Sequence, residues 1–65
     1  MRGELNEFLR TLPEEKRAIF VRRYFYAQEM SVIAREVGVS EAKVKVVLHR
    51  LREQLKQRLE ACDLL

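Results

Sequence analysis

From Ile33 to Leu48 the chain reads IAREVGVSEAKVKVVL, with a small residue at Ala34, glycine at Gly38 and a β-branched residue at Val44. Each position suits one step of the same geometry. Ala34 lets two helices approach closely. Gly38 accepts the left-handed conformation that ends a helix and turns the chain. Ser40 is a strong N-cap for a second helix, with Glu41 beside the positive end of its dipole. Val44 packs back from that second helix, and Ile33, Val37, Val39 and Leu48 fill the space between the two. A short helix, a glycine turn and a longer helix make a helix-turn-helix. A plain αα-hairpin is the competing reading.

The rest of the chain is read as helical too. Two glycines and one proline leave little turn chemistry in 65 residues, and the alternating apolar and polar runs of strands are missing. Leu5, Phe8, Leu9 and Leu12 form one apolar stripe of a first helix. Pro13 separates it from a second, PEEKRAIFVRRYFY, in which Ala18, Ile19, Val21 and Phe25 are expected in the core, with Tyr24 as a further candidate. Arg22 and Arg23 are expected to point outward, and AQEM to link to the third helix. Val44, Val47, Leu48, Leu51, Leu55 and Leu59 stripe the fourth, and the ACDLL tail is expected to fray. The expectation is an all-α, four-helix domain with helices at about 4–12, 13–26, 30–37 and 41–60, the last two forming the helix-turn-helix. It occupies residues 1–65 as a single domain: short helices one to three and a long recognition helix four.

Charge separates along the chain. Net charge is +3, but residues 1–29 carry six basic against five acidic side chains. Residues 43–58 carry Lys43, Lys45, Arg50, Arg52, Lys56 and Arg58 against Glu53 alone. Such concentration suits a polyanion-binding surface, while a solvated helix face is the bland alternative. Catalysis finds no support: Glu14-Glu15 begins a helix, Ser31 and Ser40 lack an adjacent base, and no glycine loop cradles phosphate. No cofactor is expected. One histidine and one cysteine, Cys62, make neither a metal site nor an internal disulfide, and fit a reducing cytoplasm. No stretch is apolar enough to span a membrane, and MRGELNEF lacks the apolar core of a secretion signal.

In helix-turn-helix units the second helix enters the DNA major groove. Helical spacing places Lys45, Val46, His49, Arg50 and Glu53 opposite the Val44–Leu48–Leu51 stripe. Lys or Arg there can donate to guanine, and Val46 can touch a thymine methyl. His49 is a base or phosphate candidate, with a merely solvated imidazole as the alternative. Lys43 and Arg52 flank that face, where phosphate contacts set register and affinity.

With those residues in view, LRTLPEEKRAIFVRRYFY followed by IAREVGVSEAKVKVVLHRLREQL resembles region 4 of bacterial RNA polymerase sigma factors, especially the extracytoplasmic-function class. The resemblance is carried by Leu12-Pro13, Arg17, Arg23-Tyr24-Phe25, Ile33-Ala34, Gly38, Ser40, Val44-Lys45, Leu48, Arg50, Arg52 and Leu55. It implies binding of double-stranded promoter DNA at the −35 element, docking on the β-flap of core polymerase through an apolar groove, and sequestration by an anti-sigma factor. Carried over by position, base reading falls to Lys45, Val46, His49 and Arg50, and phosphate contact to Lys43, Arg52 and Arg35. A protein-docking module with weak DNA contact is the second reading. A monomer is expected within polymerase; in isolation the apolar face leaves both a monomer and a pair of domains open. Val46 and Val47 stand where the family commonly has Ser and Arg, and Glu29 where it has a Ser or Thr cap; Ser31 capping instead would shorten the third helix. The promoter-melting region of such factors has no room here, so the chain is expected to be a domain of a longer factor, or else a small stand-alone regulator.

Overall fold

The computed structural model describes residues 2–61, so the expectations for Cys62 and the end of the ACDLL tail lie outside the described residues. Four helices succeed one another: α1 (Arg2–Thr11), α2 (Glu14–Tyr24), α3 (Met30–Val37) and α4 (Glu41–Ala61). No strand occurs among the described residues, and no helix is long and apolar enough to cross a membrane. The fold is all-helical and carries the helix-turn-helix at α3–α4.

Each boundary has a local cause. Pro13 lacks an N–H and restricts Leu12, so α1 stops at Thr11 and Pro13 becomes the N-cap of α2. Glu14 and Glu15 then occupy the first turn, where carboxylates suit the dipole. At the end of α3, Gly38 sits at φ 84°, and the Ala34 carbonyl accepts from both the Gly38 and Val39 N–H groups. Ser40 caps α4: its Oγ accepts from the Lys43 N–H at 3.1 Å. Ser31 does not cap α3, which starts one residue earlier behind Glu29, without a side-chain cap.

The core joins all four helices: Phe8 of α1, Ile19 and Phe20 of α2, Ile33 and Ala34 of α3, and Val44, Val47, Leu48 and Leu51 of α4. Val37, Val39, Leu5, Leu9, Leu12, Met30 and Leu55 pack against it, partly buried. Burying each large apolar side chain contributes about 1.5–3 kcal/mol. No buried side-chain polar atom lacks a partner among the described residues.

The C-terminal end of α2 differs from the sequence expectation. The helix ends at Tyr24 instead of continuing to Tyr26. Phe25 is therefore no longer on the helical face that periodicity assigned it, and it is 57% exposed; Tyr24 is exposed as well. Phe20 takes the core position, packed edge-on against Phe8 with ring centroids 6.0 Å apart, and tilted against Tyr24 at 4.8 Å. Arg22 and Arg23 are half-buried rather than outward. Arg23 Nη1 donates to the Gln28 carbonyl at 2.9 Å, Arg22 Nη1 reaches Gln28 Oε1 at 3.4 Å, and the Gln28 N–H donates to the Arg22 carbonyl. These bonds hold a tight turn in which Ala27 adopts φ 54°, a left-handed conformation costing a non-glycine residue about 1 kcal/mol.

Candidate nucleic-acid interface

α4 divides by its 3.6-residue period into a buried and an open side. Val44, Val47, Leu48 and Leu51 are buried against the other helices. Val47 is core, so it faces the other helices and not the open side. Val46 points away at 48% exposure, and Lys45, His49, Arg50 and Glu53 are exposed around it. Lys45, His49, Arg52 and Lys56, spaced i, i+4, i+7 and i+11, form one cationic flank. Lys43, Val46 and Arg50, at i, i+3 and i+7, form the other, with Glu53 between them. Arg35 is exposed on α3.

The ion pairs sort these cations. Lys43 Nζ lies 3.1 Å from Glu15 Oε1 of α2, and Arg58 Nε donates to Glu4 Oε1 of α1 at 3.0 Å. Two of the six basic side chains between residues 43 and 58 are thus engaged inside the domain. Lys45, Arg50, Arg52 and Lys56 make no ion pair among the described residues and keep their charge for solvent or a ligand. His49, Arg52, Glu53 and Lys56 line a depression between the first flank and Glu53. Arg and Lys presented on an open helix face can donate in pairs to base edges, and more loosely to phosphate.

A second feature lies beside this face. Leu5 of α1, Phe20, Tyr24 and Phe25 at the end of α2, and Leu55 and Leu59 of α4 line an open groove of about 450 Å³. Arg52 and Lys56 complete its lining. The lining is almost wholly apolar, so the groove fits an apolar surface.

The sequence matches the family model of sigma-70, region 4 over residues 2–55. The chain belongs to this family. No curated protein matches it. Sigma-70 region 4 is a family of DNA-binding domains rather than of enzymes; its members bind the −35 promoter element in transcription initiation and engage RNA polymerase.

The helix-turn-helix packing residues Ile33, Ala34, Val44 and Leu48 are buried, Val37 and Val39 are half-buried, and Gly38 makes the turn. The candidate readers Lys45, Val46, His49 and Arg50 share the open side of α4. Sequence reasoning missed three features of this region 4 domain: the Phe20 core position, the place of Tyr24 and Phe25 on the wall of the apolar groove, and the partners of Lys43 and Arg58. The last two depend on contacts between helices far apart in the chain.

Proposed function

We propose that this sigma-70 region 4 domain reads a −35 element through α4 and docks on the polymerase β-flap through its apolar groove. The carrying observation is the open side of α4, where Lys45 and Arg50 stand on either flank of Val46 without carboxylate partners among the described residues. Lys45 and Arg50 would donate to base edges, Val46 would meet a thymine methyl, and His49 would contact a base from the Lys45 flank. Arg52 and Arg35 would supply phosphate contacts that set orientation rather than sequence, and Lys43 would join them only on leaving Glu15. The domain acts in the cytoplasm on this reading, as part of a longer factor.

Selection from a pool of random duplex DNA at low and moderate salt tests the reading. The expected outcome is a short enriched motif whose retention falls steeply as salt rises. Salt-sensitive retention without a motif would rule out base reading and leave a basic helix alone.

The groove supports the docking part of the proposal, with an anti-sigma factor as an alternative occupant. Phe25 is exposed on its wall, so Phe25→Ser should leave the fold intact. It is expected to weaken binding to isolated β-flap by roughly tenfold or more, as removal of an aromatic anchor does. Unchanged flap binding would exclude this groove as the dock.

A further inference from the structure

Lys43 stands apart from the other cations on the open side of α4. It is the third residue of that helix, one turn from the Ser40 cap, at the end expected to approach DNA. Its Nζ is 3.1 Å from Glu15 Oε1 in the first turn of α2. Both side chains are about half exposed, so the contact is open to exchange with solvent ions. Glu14 and Glu15 line the same shallow cleft as Arg22 and Glu36, and Arg22 answers Glu36 at 3.6 Å. Glu15 therefore has Lys43 as its counter-charge.

We propose that Glu15 is a positioning residue of the DNA interface, withholding Lys43 from phosphate and thereby lowering the sequence-independent part of the affinity. This rests on the reading that α4 binds DNA. The physical basis is ion exchange. A free lysine that meets a phosphate releases one condensed counterion, steepening the salt dependence by about 0.9 on a log–log scale. Lys43 must leave Glu15 to do so. While it stays on Glu15 it neutralises no phosphate and releases no counterion, so Lys43 adds nothing to the salt slope despite its position. Lys45 and Arg50 have no such competitor, so base reading keeps its full value. Weak binding to arbitrary duplex also suits a domain delivered to its site by a tether rather than by its own affinity.

The test compares the parent chain, Glu15→Gln, Lys43→Ala and the double variant on two duplexes: the motif enriched by selection and a shuffled version of it. Circular dichroism checks that helix content is retained, as expected for a half-exposed pair. Glu15→Gln is expected to tighten binding to both duplexes by the same factor, roughly 3- to 10-fold at 0.1 M salt, and to steepen the slope by about 0.9. Lys43→Ala alone should keep the parent slope, and adding it to Glu15→Gln should restore that slope. A purely structural role for Glu15 would move none of these slopes. Two results overturn the inference while leaving DNA reading intact: a parent slope in Glu15→Gln, or a slope reduced by about 0.9 in Lys43→Ala alone. Absence of binding by all four proteins to either duplex at low salt would overturn both.

Discussion

Ile33→Ala is expected to destabilise the domain by about 2–5 kcal/mol, the range for emptying a large aliphatic site in a core. Ile33 has no exposed surface and lies on α3, where the only other buried residue is Ala34. An eight-residue helix is too short to persist by its own hydrogen bonds, so packing must hold α3 in place. Ile33 is the one large side chain of α3 that is fully buried. The domain has little to spare: a chain of this size buries only about 60% of the surface it exposes when unfolded. At about 0.05–0.15 kcal/mol per residue, its whole stability is of order 3–10 kcal/mol. Urea unfolding followed by circular dichroism reads the effect as a lowered midpoint with an unchanged slope. Val46→Ala is the control, because Val46 belongs to the same apolar-rich sequence but is half exposed, and it should stay within about 0.5 kcal/mol of the parent. Equal losses at the two positions would contradict the burial described for α3.

That contrast between Ile33 and Val46 shows what the sequence makes legible. In α3 and α4 the apolar residues recur at helical spacing, and glycine and serine mark the turn at the positions where backbone geometry needs them. Local rules therefore place Gly38, the Ser40 cap and the inward stripe of α4. Val46 and Val47 are adjacent and chemically identical, yet periodicity alone separates the open one from the buried one. The end of α2 is less legible because YFY offers three aromatic residues in a row and only the helix terminus decides among them. That terminus depends on Gln28, whose bonds to Arg22 and Arg23 stabilise the turn. Phe20 is hidden for a related reason: α2 has neighbours on two sides, so Ile19 and Phe20 are both buried and no single stripe describes the helix. The cationic face itself reads directly from the charge count. Which of its members are neutralised does not, since Glu15 and Lys43 meet only after α2 and α4 have packed.

Arg50→Ala is expected to lower affinity for the enriched duplex by about 1–3 kcal/mol, roughly 5- to 150-fold, while barely changing affinity for a shuffled one. The asymmetry comes from where Arg50 stands. It is exposed one turn beyond Val46, and no carboxylate of the described residues lies within ion-pair distance. Its planar guanidinium can donate two parallel hydrogen bonds to the O6 and N7 acceptors of a guanine. A phosphate contact from the same side chain would act on every duplex alike, and its loss would appear as a shallower salt slope. Repeating the random-duplex selection with Arg50→Ala should therefore return the parent motif relaxed at one base pair. Arg50→Lys separates geometry from charge: the ammonium keeps the charge but not the fork, so preference at that base pair should weaken while the salt slope holds. A uniform loss on both duplexes would reassign Arg50 to the phosphate side and leave Lys45, Val46 and His49 to account for any sequence preference.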